Sequence, residues 1–224
     1  MPAPPARENA TVEQLGRVEE ALAGRGMLLV QGQGEVPSIA DLLAGRPVAT
    51  RGFSWDFVLA WNVAEALARR PDVAMIRLVG GRRTLVERRF WSSVEALARH
   101  NSATVRAGGA TPAHEAMQRL IAENPGIPGA AIKVMLGIEE SRRFQVVKND
   151  LLAWCCVFQA EQDKAEAHTH DAAWHPWSAG KIAAAVREPV GLDAAVAVLT
   201  EAVFGVPTSI DRQVKKAIPL LSRL

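Results

Sequence analysis

The sequence predicts a mainly α-helical protein with small β-hairpins, a fold of the α+β class, on three observations. Capping residues and helical periodicity recur along most of its 224 residues. Two pairs of short β-prone runs interrupt them, one around Gly80-Gly81 and one around Asp163-Lys164. The composition, 49% hydrophobic and 22% charged, supplies a core and is too apolar for a disordered chain.

Residues 1–10, "MPAPPARENA", read as a loose tail. Thr11 and Gln14 match a capping box, Leu15, Val18 and Leu22 fall on one helical face, and Gly24 and Gly26 end that helix. A short apolar run, "MLLVQ", leads to Pro37 and Ser38, which open a helix ending near Gly45. Ser54 caps "WDFVLAWNVAEALARR", which is so apolar that most of it, Trp55 and Trp61 included, is expected to be buried. "IRLVGGRRTLVERRFW" follows as a hairpin in which Gly80-Gly81 supplies the positive φ of a tight turn, and "FWSSVEALARH" returns to helix.

The same order recurs after Gly108-Gly109. Thr111 and Pro112 start one helix, Pro128 a short second, and Glu139 a third that runs to Trp154; "CCVFQAEQ" and "AEAHTHDAAW" are then extended. Three helices and a hairpin, met twice, are the layout of tandem winged helices, each a helix-turn-helix with a hairpin wing beside it. The expected organisation is a disordered tail over 1–10, a first winged-helix-like domain over 11–108 and a second over 109–177. Residues 178–224 form a C-terminal helical segment, either a truncated third winged helix or a dimerisation element. In it Val206, Ile210, Val214, Ala217 and Leu221 recur at steps of three and four, so an amphipathic helix docks on its own domain or on a twin, and a homodimer is the expectation in the second case.

Charge directs the functional reading. Net charge is only +2, which excludes a polycation argument over the whole surface. Between Arg77 and Arg106, however, seven arginines face two acids, Glu87 and Glu95. Arg82 and Arg83 are expected at the hairpin turn, and Arg88 and Arg89 on opposite faces of the returning strand. With Arg77 they would present guanidinium groups suited to phosphate oxygens or to a minor groove. In helix 139–154, Phe144, Val147 and Leu151 point inward, which leaves Arg142, Gln145, Val146 and Asn149 outward. Arg, Gln and Asn can read base edges, although Glu139 and Glu140 would face phosphates there. Duplex DNA is therefore the expected partner, and a winged-helix module for protein contacts is the alternative that the small net charge allows.

Other chemistries leave little trace. Cys155 and Cys156 are adjacent, a poor geometry for a mutual disulfide, so a reduced cytoplasmic setting is expected. His168 and His170 alternate on one strand face, with Cys155, Cys156, Asp171 and His175 on the same hairpin, a set that suggests zinc. No C-x-x-C or H-E-x-x-H spacing accompanies them, and no metal or cofactor is expected. No signal peptide, membrane span, P-loop, G-x-S-x-G or helix-opening G-x-G-x-x-G is present, so a membrane is not an expected partner. Six tryptophans occur without a tyrosine; Trp91, Trp154, Trp174 and Trp177 lie near hairpin ends and read as anchors, with stacking on a base as the alternative.

Gln31-Gly32-Gln33 follows an apolar run and precedes Pro37, Leu42, Leu43 and Arg46. In that order the stretch resembles bacterial DNA glycosylases built from tandem winged helices, which carry a Gln-x-Gln motif and excise bulky alkylated purines in DNA repair. The resemblance covers a short stretch, has Gly where that family prefers other residues, and extends to two of the usual three winged helices. It implies that Gln31 and Gln33 are catalytic, positioning a water at the sugar or reading the damaged base for hydrolysis of the N-glycosidic bond. The alternative is that the two glutamines tether a loop beside two glycines.

Overall fold

The computed structural model describes residues 10–32, 36–48, 54–138, 140–160 and 172–224. Residues 1–9 of the tail, Gln33, Glu139, Asp163, Lys164, His168, His170 and Asp171 lie outside the described residues. The first unit consists of α1 (Val12–Arg25), β1 (Met27–Leu29), α2 (Ile39–Ala44), α3 (Trp55–Ala68), β2 (Val73–Arg77), β3 (Arg83–Glu87) and α4 (Trp91–Arg106). The second consists of α5 (Pro112–Glu123), β4 (Ile127–Pro128), α6 (Gly129–Met135), α7 (Ser141–Ala153), β5 (Val157–Ala160) and β6 (Ala173–Pro176). Then come α8 (Lys181–Ala185), α9 (Leu192–Phe204) and α10 (Arg212–Ala217), with no strand among the described residues of this last segment. The protein is thus mainly helical with two small antiparallel sheets, as the composition and periodicity predict.

Both units run helix, strand, helix, helix, strand, strand before any further helix. In each the last strand lies in the middle of its sheet, in the orders β1-β3-β2 and β4-β6-β5. The local signals that set the helices are the expected ones. Thr11 and Gln14 close a reciprocal capping box on α1, Ser38 accepts the Asp41 N–H on α2, and Ser54 accepts the Asp56 N–H on α3. A helix seats only the part of its stripe that meets a partner, and here the burial expected of most of α3 fails. α1 buries Val18 and Leu22 and leaves Leu15 exposed; α3 buries Ala60, Val63, Ala64 and Leu67, while Trp55 in its first turn is 52% exposed and Trp61 half-buried.

The first hairpin also departs from expectation. Gly80 and Gly81 do adopt positive φ, 58° and 67°, but the connection is five residues long, with a 3-10 turn over Val79–Gly81. Its length follows from burial of Leu78 and Val79, which pulls the turn inward. Thr84, itself buried, fixes that shape: its hydroxyl accepts the Val79 N–H at 3.2 Å and donates to the Arg82 carbonyl at 3.0 Å. β3 ends at Glu87, so Arg88 and Arg89 belong to a 3-10 turn and not to a strand with opposed faces.

The first sheet is buried on both sides. Leu28, Val30, Val73 and Leu85 join α1, α2 and α3 in one core. Met27, Leu29, Ala74 and Val86, the alternate positions, join α4, α9 and the chain end in another. A third core under the second sheet includes Met117, Ile121, Val147, Leu151 and Trp174. The expected amphipathic C-terminal helix is broken into the short α10 and a 3-10 turn over Pro219–Leu221, because Pro219 cannot continue a helix. Val206 is exposed outside any helix, whereas Val214, Ile218, Leu220 and Leu221 are buried against Leu78 and Val79 of the first unit. At about 2 kcal/mol for each fully buried side chain of this kind, such docking outweighs any surface ion pair. The stripe expected at a homodimer seam is therefore used within the chain.

Polar groups on α4 lock the pieces together. Glu95, buried, accepts the Trp177 indole N–H at 2.7 Å and the Arg99 Nε–H at 2.6 Å. Asn101, also buried, donates its amide to the carbonyls of Trp154 in the second unit and Leu220 at the chain end. Trp91, Trp154, Trp174 and Trp177 are all buried, in the anchoring role expected of them. Trp177→Phe removes one donor from the buried Glu95 carboxylate and is expected to lower the unfolding free energy by about 2–3 kcal/mol, measured by urea titration.

Candidate nucleic-acid interface

The arginines of the first hairpin do not form one tip. β3 separates Arg82 and Arg83 from Arg88 and Arg89 by roughly 17 Å, at 3.4 Å per residue of strand. At the near end the Arg83 guanidinium lies over the Trp61 ring, 4.0 Å from its centroid, which fixes the orientation of a side chain that would otherwise be flexible. Trp61 also meets Phe57 edge to face at 6.0 Å. Val30, Gln31, Gly32, Arg82 and Arg83 line a pocket of about 520 Å³ with these two aromatics. Gly32 has φ 110°, a backbone conformation that favours glycine, and the Arg82 guanidinium lies over the side where a Cβ would stand.

At the far end Arg89 has a structural task. It donates to the carbonyls of Ala23 and Gly24 at the C-terminus of α1, at 2.8 and 3.2 Å, and pairs with Glu87 at 3.2 Å. Arg88 is exposed. Arg77 is half-buried, donates to the Gly81 carbonyl at 3.3 Å and lines a crevice with Phe158 and Gln159 of the second unit. Burial depresses its pKa below the ordinary arginine value. The turn between β2 and β3 lies against α10 and the chain end on one side and against α7 on another. The hairpin turn is thus braced and does not protrude.

α7 has the predicted sidedness. Phe144, Val147 and Leu151 are buried, while Arg142, Gln145, Val146 and Asn149 are all exposed. Its placement depends on a pair that sequence reasoning missed, His114 on α5 and Asp150 on α7, 3.2 Å apart. The His114 ring is buried, packs on Trp154 at 4.9 Å between centroids and also meets the Thr111 hydroxyl at 2.7 Å. Threonine three residues before histidine at a helix start was the available signal; nothing in the sequence links either to Asp150.

Among the described residues no cluster of three or more His, Cys, Asp or Glu side chains is arranged to hold a metal. Cys155 and Cys156 are free and buried, and they face different cores because Cys155 turns the backbone with φ 52°. His175 stacks on Phe158 at 5.2 Å. Among the described residues no helix is long and apolar enough to cross a membrane. Comparison with known proteins finds no matching family model, no matching curated protein and no matching solved structure.

Burial raises the Cys155 thiol well above its ordinary value, with Cys156 and Glu95 adding to the effect. Burial likewise pushes the Cys156 thiol from 9.0 up to about 12, against a Ser102 hydrogen bond and the charges of Arg223 and Arg106. The folded state therefore keeps protons that the unfolded chain releases. Its stability is complete below about pH 9 and falls as pH rises towards 12, by up to about 1.4 kcal/mol per pH unit per thiol. Both thiols should resist an aromatic disulfide reagent at pH 8 in the native protein and react at once in denaturant.

Proposed function

We propose that the protein is a tandem winged-helix protein of the cytoplasm that binds duplex DNA, with α7 in the major groove and Arg82 and Arg83 on flanking phosphates. The observation that carries this reading is the outer face of α7: Arg142, Gln145 and Asn149 stand exposed on a helix whose inner face is anchored by Phe144, Val147 and Leu151, as a recognition helix requires. The repeated element order and the repeated strand order support the winged-helix assignment of both units. Free buried cysteines support the reducing compartment. The bracing of the hairpin turn moves the weight of the contact from the wing to α7, with the Trp61-held Arg83 and the exposed Arg82 beside it.

Affinity for undamaged duplex DNA across a salt series tests the proposal. Log affinity should fall with log salt by about 0.9 per phosphate neutralised. Changing Arg82 and Arg83 to Ala should make the slope shallower by about 2, whereas the Arg88 and Arg89 double variant should change it by about 1 at most, because Arg89 already serves α1. Arg142→Ala with Gln145→Ala and Asn149→Ala should reduce affinity about tenfold or more and flatten any sequence preference. No binding by the parent at low salt would remove the DNA reading and leave the protein-contact module.

A second reading, a DNA glycosylase for alkylated bases, is favoured by one observation: Gln31 opens onto the same pocket as Phe57, Trp61, Arg82 and Arg83. An unstacked base needs aromatic surface and a hydrogen-bonding amide, and both are present there. Release of an alkylated purine from duplex DNA by the parent and its loss in Gln31→Ala are the expected outcomes under this reading, and no release by the parent ends it.

A further inference from the structure

A cleft of about 910 Å³ opens between α4 and α5, far larger than the pocket at Gln31. We propose that it binds a small zwitterion of the short-peptide class, a molecule that carries both a carboxylate and a protonated amine. This goes beyond the DNA reading and uses none of the residues assigned to it.

The two helices present charged faces to each other across open space. Glu95, Arg99, Ser102 and Arg106 recur at helical spacing along α4, and Glu115, Gln118, Arg119 and Glu123 do so along α5. Glu95 and Arg99 are already engaged, Glu95 by Trp177 and Arg99, and Arg99 also by the Val186 carbonyl at 3.0 Å. Arg106, Arg119, Glu115 and Glu123 make no ion pair within 4.0 Å among the described residues. Opposite charges thus line one groove without closing on each other. A simple anion would meet two repelling carboxylates, and a simple cation two repelling guanidiniums. A zwitterion can pair with both, its carboxylate taken by arginine in a bidentate fork.

A second, independent observation points to a ligand with an amide. Gln118 lies in the α5 wall of the cleft and is 7% exposed. Its amide reaches the Ser102 carbonyl only at 3.5 Å, and its Oε1 has no partner among the described residues. A buried acceptor left unpaired is costly, and a turn of this side chain towards the cleft would let a peptide N–H satisfy it. Trp177, Pro176 and Ala183 supply apolar surface for the ligand's side chains. The volume falls within the range of small-molecule sites and exceeds what a single amino acid fills.

Amide and guanidinium NMR spectra of the whole protein, titrated with tri-alanine bearing free ends, test the proposal. Saturable shifts at the Gln118 side-chain amide and along residues 99–106 and 115–123 are expected, with a dissociation constant of about 1 mM. Tri-alanine capped by an acetyl and an amide should bind about tenfold more weakly or worse, as should free tri-alanine to the Arg106→Ala, Arg119→Ala double variant, in which both changes fall on exposed side chains. Absence of saturable shifts at about 20 mM peptide overturns the proposal. So does equal binding of the capped peptide, or equal binding of inorganic phosphate, which would mark a plain anion site. The result is independent of the DNA titrations, because the cleft shares no residue with α7, Arg82 or Arg83.

Discussion

Burial of the first sheet on both faces governs how the rest of the chain is arranged. A three-stranded sheet with one wet face needs helices only on the other. Here alternate residues of "MLLV" and of β3 enter two different cores, so neither face tolerates water. α1, α2 and α3 cover one side; α4, α9 and the chain end must cover the other. The C-terminal segment is therefore part of the first unit's core, although it follows the second unit in sequence. The same requirement pulls Leu78 and Val79 inward and braces the turn between β2 and β3.

That bracing changes what a run of arginines means. Density along the chain suggests one cationic surface, but the backbone distributes the side chains to different tasks. Arg89 neutralises carbonyls at the end of α1, Arg83 lies on Trp61, Arg77 faces the second unit, and Arg82 and Arg88 are exposed at opposite ends of β3. The sidedness of α7, in contrast, was legible in full, because three inward apolar residues at helical spacing define an outward face with no knowledge of tertiary contacts.

α4 is the joint between the parts. Its buried Glu95 and Asn101 connect it to the Trp177 turn, to Trp154 and to Leu220, while its charged edge lines the cleft shared with α5. Buried polar groups of this kind restrict how pieces can sit, since any other arrangement leaves a carboxylate or an amide unpaired. The His114–Asp150 pair has the same effect between α5 and α7. None of these partners lies close in sequence: Glu95 and Trp177 are 82 positions apart, and Asn101 and Leu220 are 119 apart.

The sequence by itself determined the helix starts at Thr11, Ser38 and Ser54, the positive φ at Gly80-Gly81, the repeated order of helices and hairpins, and the inner and outer faces of α7. These rest on interactions within a few residues, between a capping oxygen and the next turn or along one helical stripe. Only the tertiary structure decided where the chain end packs, which arginines stay exposed, that Trp55 is uncovered, and that α4 and α5 hold a charged cleft between them. Those outcomes depend on which distant surfaces exclude water from each other, and local spacing carries no record of that choice.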